Sequence, residues 1–189
     1  MAAIGMIEVE GVAGIVLAGD TACKAADVDL MGWTSIGGFT TVFFSGSVGS
    51  VTNALRTGEQ AAQTISQHVV AAPMTQPEDA CASYVTFQPR TELSVPSGAL
   101  GLLETRGYGV HVRTNDAMVK AAPVSVYHVL TVMNRVVCSM VMGDVAAVKE
   151  ALSVGETLAS SHENFMSATL IAQPMPDVLR AFGPEGSNS

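Results

Sequence analysis

Four histidines (His68, His111, His128 and His162) and three cysteines (Cys23, Cys81 and Cys138) are the residues of this chain best suited to metal or nucleophilic chemistry. Their spacing supports neither. A compact zinc site draws paired ligands from positions about three to five residues apart, and no HxxxH, HxH or CxxC occurs. No histidine stands at helical or strand spacing from Cys23 or Cys138, so both read as small buried residues and not as activated thiols. Glu8 and Glu104 recur at matching places and could be imagined as paired carboxylates, but a shared structural hydrogen bond explains them more simply. A GxGxxG turn, a phosphate-binding loop, GxSxG and HExxH are all absent. The residues therefore predict a protein that is not an enzyme and holds no metal or cofactor.

Charge narrows the partners further. The net charge is -8 with only nine Lys and Arg, scattered singly, whereas a nucleic-acid surface needs them clustered. No basic helix offers itself to a membrane surface. The uncharged run from Leu30 to Leu55 contains five glycines and nine Ser, Thr or Asn residues, so it reads as strand, loop, strand and helix start. Met1 to Gly11 carries Glu8 and Glu10 inside its apolar stretch and has no basic start, which predicts a first strand and no signal peptide. An odd cysteine count without a pairing pattern fits a reducing cytoplasm.

The elements that must position these residues come in two sets. AIGMIEVEG (3–11) reappears as ALGLLETRG (99–107), and GDTACKAADV (19–28) as NDAMVKAAPV (115–124), both at an offset of 96. SGSVGSVTNALRTGE (45–59) matches MGDVAAVKEALSVGE (142–156) at an offset of 97, so one residue is inserted between the blocks. Self-similarity at this period predicts a duplicated domain: a first copy over 3–80, a connector over 81–98, a second copy over 99–182 and a polar tail over 183–189. Each copy reads as strand, helix, strand, loop, strand, helix, strand, short helix. Asp27 and Pro123 stop the first helices, and Ser47 and Asp144 are expected to cap the second.

The order GMIE, KAADV and GSVGSV, repeated as GLLE, KAAPV and GDVAAV, resembles the bacterial microcompartment shell domain twice over. The resemblance implies an α/β (α+β) fold in which each copy is a small four-stranded antiparallel sheet with helices packed on it. It also implies a homotrimer that imitates a flat hexamer, tiling a shell in the cytoplasm beside other hexameric tiles and around encapsulated enzymes. On that mapping the central pore is lined by Ser35, Ile36, Gly37 and Gly38 from copy one and Val132, Met133, Asn134 and Arg135 from copy two. Three copies of Arg135 would favour anions. The family's tile-edge lysine falls on Lys24 and Lys120.

Two departures follow from the same mapping. The Pro-Arg-Pro element expected after the last strand reads Ala72, Pro73, Met74 and Gln173, Pro174, Met175, without arginine. Some tandem members hold an iron-sulfur cluster through a pore-loop cysteine, and Ile36 stands at that place here. Two further readings stay open: a tile carrying a metal or redox cofactor on its axis, and a tandem sensory domain binding an effector between its copies.

Overall fold

The computed structural model describes residues 2–78, 82, 85, 87, 94–132 and 135–184. Copy one runs β1 (Ala3–Glu10), α1 (Ala13–Ala25), β2 (Val28–Ile36), β3 (Phe39–Gly46), α2 (Val48–Gln63) and β4 (Val69–Met74). Copy two runs β5 (Ala99–Arg106), α3 (Tyr108–Ala121), β6 (Ser125–Val132), β7 (Val136–Gly143), α4 (Val145–Ala159), β8 (Phe165–Ile171) and α5 (Pro176–Phe182). The two four-stranded sheets have orders β2-β3-β1-β4 and β6-β7-β5-β8, with every pairing antiparallel.

Local chemistry accounts for the element boundaries. Ser47 accepts the Ser50 N–H at 3.1 Å and Asp144 the Ala147 N–H at 2.8 Å, so both expected caps satisfy a donor that the first turn leaves free. Gly5 and Gly101 lie under these helices. A Cβ on Gly5 would come within 2.7 Å of Val51, and one on Gly101 within 2.8 Å of Val148, so only glycine lets the helices seat this close.

Register fixes where the extra residue went. Ile36 pairs with Phe39 in copy one and Val132 with Val136 in copy two, so two residues separate the paired positions in copy one and three in copy two. The offset thus changes from 96 to 97 inside the β2–β3 turn, and Ile36 and Val132 are equivalent. Both β2 and β6 carry a bulge, between Leu30 and Gly32 and between Val126 and His128.

The copies share a core. One buried cluster joins Ile7, Val16, Phe44 and Val51 of copy one to Leu100, Leu102, Cys138 and Met140 on the outer face of the second sheet, and to Leu179 and Phe182 of α5. A second cluster, around Leu103, Met118 and Leu152, lies between that sheet and its own helices. Helix α1 is therefore packed on two sides, with Ala13 to Val16, Ala18 to Asp20 and Ala22 all buried.

Candidate functional site

The turns named by the sequence are built differently. Gly37 and Gly38 have φ of 61° and 91°, the left-handed conformation a two-residue hairpin turn requires and glycine adopts freely. The Gly38 carbonyl accepts the Gly11 N–H at 2.8 Å, and the Ser35 hydroxyl donates to the Phe39 carbonyl at 3.0 Å. In copy two Arg135 fills the Gly38 role: its φ is 71° and its carbonyl accepts the Gly107 N–H at 2.5 Å. Met133 and Asn134 lie outside the described residues. Ile36 is 78% exposed at its turn, whereas Val132, its counterpart, is 9% exposed.

That contrast comes from the junction between the copies. Glu104 on β5 reaches across to the start of α1, accepting the Val12 N–H at 2.5 Å and the Ala13 N–H at 3.2 Å. Its carboxylate thus supplies a long-range cap to a helix that has no side-chain cap of its own. Burial outweighs those donors and pushes its pKa up to about 7. Beside it, Arg106 donates to Glu10 at 2.8 Å. A polar cavity of about 410 Å³ opens next to this pair, with Ser66, Gln67 and His68 on one wall and Phe165 and Met166 on another. At the other end of the junction, Trp33 donates its indole N–H to the Ala181 carbonyl at 2.8 Å and stacks on Phe182 at 5.4 Å between ring centroids. Asp20 there accepts the Met175 N–H at 2.7 Å.

Set against known proteins, this doubled fold has clear relatives. The BMC domain model matches residues 3–73 and again 99–174. The chain belongs to the BMC domain family. It is a bacterial microcompartment shell protein with two BMC domains in tandem. The carboxysome assembly protein CcmO of Synechocystis sp. is 29% identical over 186 residues, which are 93% of this chain and 63% of that protein. The chain thus spans just under two thirds of that relative's length. The bacterial microcompartment shell protein EutM of Escherichia coli is 38% identical over 93 residues, 48% of this chain and 96% of EutM. A crystal structure of a microcompartments protein from Desulfitobacterium hafniense DCB is 24% identical, covering 95% of this chain and 99% of that one with a TM-score of 0.43.

In this BMC-domain chain the other residues singled out from sequence fall as follows. Lys24 and Lys120 sit in the last turns of α1 and α3 and pair with Asp20 and Asp116, each at 2.6 Å. Cys138 is buried, and burial together with the nearby Glu104 charge pushes its thiol pKa well up, which suits a core residue and not a nucleophile. Cys23 is half-buried on α1, and Cys81 lies outside the described residues. Among the described residues no three His, Cys, Asp or Glu side chains gather as a metal site. The Ile36 position offers no thiolate, so the residues present do not fit an iron-sulfur cluster.

Two readings from the sequence need correction. Pro73 lies inside β4, paired with Gly5, while Pro174 follows β8; register makes Pro77 the counterpart of Pro174. The pairing of Pro73 with Pro174 is at an offset of 101, whereas Gln76–Pro77 and Gln173–Pro174 keep the offset of 97. Glu8 and Glu104 do not share a hydrogen bond: Glu8 accepts from the Thr41 hydroxyl at 3.0 Å, and Glu104 caps α1. The sequence reading missed Trp33 and the Arg106–Glu10 pair. The second was visible as opposite charges at equivalent positions 96 residues apart.

Proposed function

We propose that this shell protein is a structural tile without catalytic activity, three chains closing head to tail into a pseudohexamer with six BMC domains around one axis. One observation carries the reading: two exposed apolar residues on the sheet side of copy one and two on the helix side of copy two are counterparts of residues buried at the internal junction. On the sheet side, Ile36 and Phe39 (41%) are exposed where Val132 and Val136 (1%) are covered. On the helix side, Tyr108 (58%) and Val112 (60%) are exposed where Val12 and Val16 are fully buried. Copy one thus offers a bare sheet face and copy two a bare helix face, matching the two surfaces already joined within the chain. Unlike surfaces of this kind join heterologously and form a ring when the rotation closes.

In that ring the β2–β3 and β6–β7 turns surround the axis. Ser35, Gly37, Gly38 and Arg135 line the pore with threefold chemistry, and Arg135 brings three positive charges that favour small anionic metabolites. Lys24 and Lys120 lie at the rim for contact with neighbouring tiles. Encapsulated enzymes would lie on one side of the resulting layer. Sedimentation velocity should give a particle of three chains, and negative-stain images should show hexagon-like outlines or sheets. A stable monomer at micromolar concentration overturns the reading.

A further inference from the structure

We infer that the chain–chain junction repeats two polar contacts of the internal junction with the roles of the copies exchanged. Glu8 of one chain caps helix α3 of the next through the N–H groups of Tyr108 and Gly109, and every Arg106 stands between two Glu10 carboxylates, its own and its neighbour's. This inference rests on the head-to-tail ring proposed above.

The equivalences carry it. Positions 8 and 104, 10 and 106, and 12–13 and 108–109 are each 96 apart, and their strands hold the same places in the two sheets. Within the chain, the residue at 104 caps the helix beginning at 12–13, and 106 pairs with 10. The exchanged set is present, and within one chain Glu8 does not reach the start of α3. Helix α3 has 14 residues, follows Gly107 and has no side-chain cap. Glu8 is half-buried on the bare sheet face and accepts one local donor, Thr41. Its counterpart Glu104 has Cys138 across the strand in place of Thr41 and gives its Oε1 to the neighbouring helix. The apolar surface around each site is bare as well, with Val70 beside Glu8 in the sheet and Tyr108 at the start of α3 both exposed.

The sign inversion at 10 and 106 gives the pair a second effect. A ring alternating copy one and copy two places Glu, Arg, Glu, Arg around the axis side of the junctions. Any arrangement that sets two like copies side by side brings together two carboxylates or two guanidinium groups, which disfavours it. The duplication thus holds one order of domains by charge as well as by covalent linkage.

The test is sedimentation velocity over a dilution series of the full chain, comparing wild type with Glu8→Ala, Glu8→Gln, Glu10→Arg and the swap Glu10→Arg/Arg106→Glu. Wild type should form a trimer. Glu8→Ala should raise the trimer dissociation constant at least tenfold while leaving the circular dichroism spectrum unchanged, and Glu8→Gln, which keeps an acceptor oxygen, should fall between the two. Glu10→Arg should weaken the trimer, and the swap should restore it. If Glu8→Ala and Glu10→Arg assemble as tightly as wild type, or the swap restores nothing, these contacts are wrong while the ring stands. A monomeric wild type removes both.

Discussion

Helices α1 and α3 hold equivalent places in their domains, yet eight residues of α1 are buried and only His111, Thr114 and Met118 of α3. The difference follows from what lies on the far side. Helix α1 is sandwiched between its own sheet and copy two, so its sequence, AGIVLAGDTACKA, is small and apolar on nearly every face. Helix α3, YGVHVRTNDAMVKA, keeps polar residues on the same face, with Tyr108, Val112 and Val119 left bare among them. Two copies of one domain thus differ where one has a covalently attached neighbour and the other must find its neighbour in solution. The same asymmetry runs through the sheets, where Ile36 and Phe39 are exposed and Val132 and Val136 are buried.

The largest contrast is expected at Trp33 and its counterpart Val129. Trp33 holds α5 of copy two onto copy one by stacking and by one buried hydrogen bond. Removing a buried aromatic costs about 4 kcal/mol, and here the orphaned Ala181 carbonyl adds to it. Trp33→Ala should therefore lower the unfolding midpoint strongly and expose α5 to limited proteolysis. Val129→Ala, at a half-buried site on the second sheet, should cost about 1 kcal/mol. Equal losses would mean that the internal junction contributes nothing to stability.

Next is the pH dependence set by Glu104. Its carboxyl binds a proton more tightly in the folded chain, at about 7, than its ordinary value of 4.5 allows in the unfolded one. Stability should therefore rise as pH falls from about 7 toward 4.5, and be lowest where the buried carboxylate is fully ionised above 7. A shift of this size corresponds to roughly 3 kcal/mol. Denaturant titrations of Glu104→Gln should lack that slope, whereas Glu8→Gln should retain it. A wild-type chain whose stability is flat between pH 5 and pH 8, at about the precision of such titrations, would contradict the burial of Glu104.

How far this was legible in sequence depends on the range of each interaction. The repeat, the order of the strands and long helices and the caps at Ser47 and Asp144 were all readable, because each is set within a few residues or by direct comparison of the copies, while the short helix expected to end copy one lies outside the described residues. The site of the inserted residue was bracketed but not fixed; strand register placed it in the turn. The docking of Trp33 on a helix 148 residues away was not readable, since nothing in DLMGWTS distinguishes a tryptophan facing its own sheet from one facing another copy. Glu104 was noticed for its recurrence, but its role depends on the start of α1, 91 and 92 residues earlier.

A third contrast lies inside the two domains. Copy two buries His111 between Thr105, 3.0 Å from its Nδ1, and Ser139, 2.7 Å from its Nε2; copy one has Ile15, Val9 and Val42 at those places. Burial lowers the His111 pKa to about 4, so the ring is neutral and one nitrogen must accept while the other donates. Ser139→Val alone should cost about 2 kcal/mol by leaving a ring nitrogen unpaired. Replacing all three with copy one's set, His111→Ile, Thr105→Val and Ser139→Val, should cost less than that single change. Additive losses in calorimetry would show that the three do not act as a unit.

The smallest effect separates the two turns. Arg135 holds a left-handed φ of 71° where Gly38 holds 91°, and an L residue there carries roughly 1 kcal/mol of strain that glycine does not. Arg135→Gly should stabilise the domain by about that amount, and Gly38→Ala should destabilise it by a similar one. That a charged, exposed residue occupies the strained place in copy two, when copy one shows glycine serving the same hydrogen bond, means that stability did not select it. If the guanidinium instead serves the pore, Arg135→Gly should make the tile more stable and at the same time reduce passage of small anions relative to neutral solutes of equal size. A change in stability with no change in that ratio would leave the strain without a role at the axis.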